Sequence, residues 1–152
     1  MIILAIDPGP KQSAFIVFEA DQDIPCIDFG ILSNDALLER LHAARVCFFS
    51  CGHLAIEMVA CYGMPVGREI FETALWTGRF IQAFGGPFTL VYRKDVKLHL
   101  CGSVRAKDSN IRQALIDRFG PPGTKKARGK LYGISKDLWA ALAVAVTYSD
   151  GV

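Results

Sequence analysis

Two short runs constrain how this chain can fold. Ile2-Ile3-Leu4-Ala5-Ile6 ends in Asp7, and Leu54-Ala55-Ile56-Glu57-Met58-Val59 carries one carboxylate inside an otherwise apolar stretch. Successive side chains of a strand point to opposite faces, so a strand apolar on both faces needs packed layers on both sides of its sheet. The same burial makes the two acids costly. An ionised carboxylate in such a strand is unfavourable by several kcal/mol unless a cation or hydrogen-bond donors compensate, and neither strand contains a Lys or Arg to do so.

The remaining elements follow from periodicity and turn chemistry. Ile2 to Asp7, Ser13 to Glu19 and Pro25 to Leu32 read as strands. The short connections between them, Pro8-Gly9-Pro10 and Asp21-Gln22-Asp23, predict an antiparallel meander. Ser33 or Asn34 caps a helix with Leu37, Leu38 and Leu41 at helical spacing, running to about Arg45. After the strand His53 to Val59, Pro65 stands at the start of a long helix marked by Ile70, Ala74, Leu75, Gly78 and Ile81, which ends before Gly85-Gly86-Pro87. Phe88 to Tyr92 is a fifth strand, followed by a short helical stretch from Asp95 to Leu100 and a clearer helix from Asp108 to Phe119. Gly120 to Gly133, GPPGTKKARGKLYG, has the composition of a flexible loop, and Ser135 caps a final helix through Tyr148. The principal order, β-β-β-α-β-α-β-α-α, predicts an α/β fold: a mixed five-stranded sheet with helices on both faces. A length of 152 residues predicts a single domain over 1–152.

Composition excludes several classes. With 51% hydrophobic and 21% charged residues the chain is not disordered. The best apolar run, Leu138 to Tyr148, is far shorter than the roughly 18 to 20 residues a membrane span needs. No basic segment precedes the first strand, so no signal peptide and a cytoplasmic location are expected, nucleoid-associated if the source is bacterial or phage. The five cysteines, Cys26, Cys47, Cys51, Cys61 and Cys101, show no disulfide rhythm and are expected to be buried small apolar groups. Cys47, Cys51, His53 and Cys61 form a grouping that could suggest zinc, but they lack the two paired ligand sets of a structural site.

The formal net charge of +2 conceals an asymmetry. Residues 1–92 hold ten acidic and five basic side chains, whereas residues 93–136 hold twelve basic and three acidic ones, a net of +9. Charge runs are usually solvated faces. These lie next in sequence to a third acid, Asp137, which opens the last helix. An Asp there also suits the helix dipole, and an Asp before Pro-Gly, as at Asp7, suits a turn. Taken together, however, Asp7, Glu57 and Asp137 can converge at one end of the sheet and hold a hard divalent cation such as Mg²⁺ or Mn²⁺ by oxygen ligands alone. Two such ions about 3.5 to 4 Å apart stabilise both the attacking and leaving oxygens of phosphodiester cleavage.

The opening Ile6-Asp7-Pro8-Gly9, the strand Ala55-Ile56-Glu57, the segment Val91 to Gly102 (VYRKDVKLHLCG) and the closing Lys136-Asp137-x-x-Ala140-Ala141-Leu142-Ala143-x-Ala145, in this order, resemble the RuvC family. That family comprises Holliday-junction resolvases with an RNase H-like fold, and the resemblance extends from Met1 to about Tyr148. It implies a crossover-junction endodeoxyribonuclease of DNA recombination and repair, in a cellular, phage or viral setting. It also implies Asp7, Glu57 and Asp137 as catalytic and metal-binding acids, Mg²⁺ or Mn²⁺ with two ions per site, branched DNA as partner, and a homodimer. Many members carry a further acid where this chain has Ala140, so three acids suffice or another, such as Asp108, completes the set. The family's aromatic residue after the catalytic Glu is matched loosely by Tyr62. Arg93, Lys94, Lys97, Arg105, Lys107, Lys125, Lys126, Arg128 and Lys130 are then the expected DNA contacts, made to phosphates more than to bases. A dimer face is expected on the helix from Val66 to Phe84, through Phe71, Leu75, Trp76, Phe80, Ile81 and Phe84. Two other readings remain: an actin- or hexokinase-type nucleotide-binding domain, and a non-catalytic or RNA-directed relative of the same fold.

Overall fold

The sheet is built in the order β3-β2-β1-β4-β5 from β1 (Ile3–Asp7), β2 (Gln12–Phe18), β3 (Cys26–Ser33), β4 (His53–Met58) and β5 (Phe88–Tyr92). The structure is a computed structural model that describes residues 1–43, 48 and 50–151. β1, β2 and β3 pair antiparallel, and β4 and β5 are added in parallel, β4 on β1. The helices are α1 (Asn34–His42), α2 (Arg68–Phe84), α3 (Arg93–Cys101), α4 (Asp108–Phe119) and α5 (Leu138–Ser149). The mixed five-stranded α/β sheet expected from the sequence is thus observed. The stretch after β5 is longer than expected: a nine-residue helix, starting directly at Arg93.

Alternation along the strands divides the core in two. Ile3, Ala5, Ala14, Ile16, Ala55 and Val91 face α5, whose Ala141 to Val146 are all fully buried. Leu4, Ile6, Phe15, Val17, Leu54 and Ile56 face the other way, against Leu37 and Leu41 of α1 and Phe80 of α2. Ser33 caps α1 by accepting a hydrogen bond from the Ala36 amide at 3.2 Å. The expected continuation of this helix to Arg45, and Cys47, lie outside the described residues.

Three expectations change. Asp137 is not inside the last helix but is its N-cap residue, the helix proper beginning at Leu138. The basic segment 120–133 is a tied turn: Thr124 and Ala127 exchange backbone hydrogen bonds of 3.0 and 3.1 Å, and the Gly129 amide donates to Pro122 O at 2.8 Å. A Cβ on Gly129 would stand 2.0 Å from Pro121 O, so this close approach of backbones requires glycine. The cysteines also differ. Burial pushes the Cys26 thiol up to about 12 and the Cys51 thiol up to about 11, as inert apolar groups behave, but Cys61 is exposed.

Candidate active site

Alternation and register bring the two costly acids together. Ile6 pairs with Ile56 across the parallel β1/β4 ladder, so the next residues, Asp7 and Glu57, stand level with each other and on the face covered by α5. The N-cap position of α5 adds Asp137. All three line one cleft of about 280 Å³, with Arg93, Asp108, Ile111, Lys136, Trp139 and Ala140.

Local structure holds each acid in place. Beyond Asp7 the chain turns through Gly9, whose amide donates to Ser13 Oγ at 3.2 Å and whose carbonyl accepts from Asn34 Nδ2 at 2.9 Å. Ser13 Oγ in turn donates to Asn34 Oδ1 at 2.6 Å. A Cβ on Gly9 would lie 2.4 Å from Gln12 O, so the turn closes only around glycine. Before Asp137, Lys136 adopts φ +50, a left-handed conformation that a non-glycine residue holds only where its surroundings enforce it. Asp137 makes no side-chain cap hydrogen bond. Its carboxylate therefore does not do the capping work that would explain an acid at this position on helix grounds alone.

The electrostatics match the expected cost. Burial, reinforced by the charges of Glu57 and Asp137, pushes the Asp7 carboxyl up to about 8, with Arg93 opposing. Burial also raises Glu57, against the pull of Arg93 and Lys97. Glu57 Oε2 is buried with no hydrogen-bond partner; its nearest cation is Arg93 Nη1, at 3.6 Å. The compensating cation missing from β1 and β4 thus comes from the first residue after β5. Arg93 also donates to Asp108 Oδ1. Despite burial, which works against its charge, Glu57 and Asp108 hold the Arg93 guanidinium firmly protonated.

An orphaned, buried carboxylate oxygen beside two further acids is a donor set suited to a hard divalent cation. Among the described residues, no three acidic, imidazole or thiol groups stand close enough to enclose an ion as placed. The residues fit such an ion chemically, and Arg93 lines the same cleft. The zinc grouping gains no support: His53 Nε2 is 2.9 Å from Thr89 Oγ1 and the ring stacks on Tyr148 at 4.4 Å, while Cys47 lies outside the described residues.

The basic side chains divide by partner. Lys94, Arg105, Lys107, Lys125 and Lys126 are exposed, and among the described residues they pair with no acid. Lys97 is half-buried, its charge acting on Glu57. Lys130 lies 3.0 Å from Asp23, and Arg128 stacks over Tyr132 at 4.6 Å. Arg93 faces the acids. Tyr62 is 62% exposed in the loop after β4, with φ 45, and does not line the cleft. Sequence reasoning missed Trp139, which lines the cleft with Arg112 5.1 Å above its ring. Its place two residues after Asp137 was the available signal.

No family model matches the chain, and no curated protein matches it by sequence. Solved structures do. RuvC of Thermus thermophilus aligns at a TM-score of 0.68 and 20% identity, over 98% of this chain and 93% of that one. The same protein in complex with a Holliday junction substrate aligns at 0.72 and 18%, over the same shares. The fowlpox virus Holliday junction resolvase aligns end to end at 0.47 and 13%. The two Thermus superpositions establish architecture: the chain has the RNase H-like fold of RuvC.

Proposed function

We propose that this protein is a divalent-metal-dependent, structure-selective endonuclease that cleaves phosphodiesters of branched DNA, with the four-way junction as its main substrate. The observation that carries this reading is the cleft itself, where Asp7, Glu57 and Asp137 converge from β1, β4 and the start of α5 while exposed bases follow on the segments after β5. The RuvC fold and the junction complex of the Thermus protein support the choice of substrate.

Asp7, Glu57 and Asp137 would hold Mg²⁺ or Mn²⁺, two ions per site in the full assembly. Bound there, the metal supplies an activated water and a counter-charge for the leaving oxygen. The protein's own part is positional. The Gly9-Ser13-Asn34 network fixes the turn after Asp7, and the β1/β4 register sets Glu57 beside it. Lys94, Arg105, Lys107, Lys125 and Lys126 offer charge to the phosphate backbone without reading bases, so shape governs binding.

Paired incision of a four-way junction requires two sites, hence a homodimer with twofold symmetry. Of the side chains expected at the dimer face, Phe80 is fully buried and Trp76, Ile81 and Phe84 pack on the core, leaving Phe71 and Leu75 exposed at 65% and 63%. These two residues are the proposed centre of the dimer contact.

The test is a substrate panel under one metal condition: four-way junction, flap, duplex and structured RNA. The junction should be nicked only with Mg²⁺ or Mn²⁺, and Asp7→Asn should bind but not cut. Equal cutting by that variant refutes the assignment. Junction binding by wild type without cutting in any metal would instead mark a non-catalytic relative.

A further inference from the structure

The cleft contains a cation of its own. Arg93, at the start of α3, places its guanidinium between Glu57 on β4 and Asp108 at the start of α4, 3.6 Å from Glu57 Oε2 and hydrogen-bonded to Asp108 Oδ1. Its side chain is 26% exposed, while that of Asp108 is 82% exposed. An Asp so open to water gains little from staying near other acids, because exposed like charges repel and solvent offers it other directions. Arg93 is what holds it over the cleft. Once there, the Asp108 charge bears on both Asp7 and Glu57. Across the same cleft, α5 presents Ala140, one turn beyond Asp137, where a methyl group offers no ligand.

Arg93 is poorly placed to be a permanent partner of Glu57. At 3.6 Å the contact leaves Glu57 Oε2 without a hydrogen bond, although the oxygen is buried, and a buried acceptor left so is unfavourable. One monovalent cation therefore shares a cleft with four carboxyl groups, Lys136 also lining it and Lys97 acting on Glu57. A divalent cation reaching the same oxygens would bring twice the charge and would repel the guanidinium.

We propose that Asp108 is the fourth carboxylate of the divalent-cation site, and that Arg93 is a resident counter-ion which holds Asp108 over the cleft and is displaced when the metal enters. This inference rests on the metal-dependent reading above and assigns two residues to it. Arg93 is a positioning residue in this scheme. Asp108, supplied by α4, does the work of an acid absent from α5.

The experiment measures Mn²⁺ binding by calorimetry and by the electron paramagnetic resonance signal of free Mn²⁺, with no DNA present. Wild type, Asp108→Ala, Asp108→Asn, the double variant Asp108→Ala with Ala140→Asp, and Arg93→Gln are compared, each checked for folding by thermal melting. Either Asp108 substitution should weaken Mn²⁺ by about tenfold or more. Ala140→Asp should restore most of that loss, since it returns a carboxylate to the same cleft. Arg93→Gln should bind Mn²⁺ more tightly than wild type, because loss of the competing charge outweighs loss of the contact that holds the exposed Asp108, which a divalent cation can itself draw in. If wild type binds Mn²⁺ and both Asp108 variants bind it equally well, Asp108 is not a ligand and the metal-dependent reading survives alone. If Arg93→Gln melts like wild type yet binds more weakly, the counter-ion role is overturned. If wild type itself binds no Mn²⁺, the underlying reading fails, and this inference with it.

Discussion

Replacing Asp7 by Asn should stabilise the metal-free protein, and by an amount that depends on pH. The Asp7 carboxyl is pushed from 3.8 up to about 8 by burial and by the charges of Glu57 and Asp137. A carboxyl raised in the folded state binds its proton more tightly there than in the unfolded chain, so its contribution to stability falls as pH rises from about 4 to about 8 and is level above that. At about 1.4 kcal/mol per pH unit, the anion costs up to about 6 kcal/mol at pH 8.5. Asn is nearly the same size and carries no charge. Half of that cost recovered would raise Tm by about 6 to 12 °C in a domain of this size. The assay is thermal melting by circular dichroism in EDTA at intervals from pH 4.5 to 8.5, with Asp21→Asn, an exposed site, as control. The gain should be small at pH 4.5 and grow with pH. A flat difference, or a Tm at pH 8.5 no higher than wild type, would refute the claim that the site stores repulsion awaiting a cation.

Neutralising Lys125 and Lys126 to Gln should weaken junction binding and reduce its log–log salt slope by roughly 0.9 for each phosphate that is no longer neutralised; the same change at Lys130, already beside Asp23, should do less, and fluorescence anisotropy across salt concentrations checks both. Phe71→Glu with Leu75→Glu should shift sedimentation from dimer to monomer and abolish paired incision while leaving single nicks. Arg118 holds the Asp150 carboxyl down at about 2 through two hydrogen bonds of 2.6 and 2.9 Å, aided by His99. That stabilisation is present above pH 4 and lost as pH falls toward 2, so Arg118→Ala, at a solvent-screened pair, should lose up to about 1 kcal/mol at pH 7 and little at pH 2.5, measured by urea unfolding.

Much of the fold was legible because its signals are local. Strand alternation, the Ser33 cap, and the Gly85 and Gly102 helix ends in left-handed conformation all act within a few residues. Asp7 and Glu57 were legible for a different reason: a carboxylate in a doubly buried strand has to be explained, whereas Asp137 was legible only beside those two and through the resemblance. What escaped the sequence depends on contacts between distant segments. Arg93 reads as one more base in a basic run, and only the parallel pairing of β4 with β5 sets it beside Glu57. The 120–133 segment has a flexible composition, yet it is tied by carbonyls of Pro121 and Pro122 closing around Gly129. On α2, residues of equal hydropathy divide between core and surface according to where Thr73, Thr77 and Phe80 turn the helix inward, a rotation that hydropathy alone does not set.

The level pairing of Ile6 with Ile56 also governs when the acids meet during folding. β1, β2 and β3 can form as a meander from nearby residues, but Glu57 arrives only after the chain has passed through α1 and returned, some 50 residues from its partner on β1. Asp137 arrives later still, with the last helix. Non-local pairings of this kind are the slow steps of folding. A chain that has not yet reached Glu57 and Asp137 therefore holds Asp7 with neither companion, and the proposed site is incomplete. The assembled cleft is a property of the chain folded through α5, and the destructive chemistry proposed for it is withheld until Asp137 is in place.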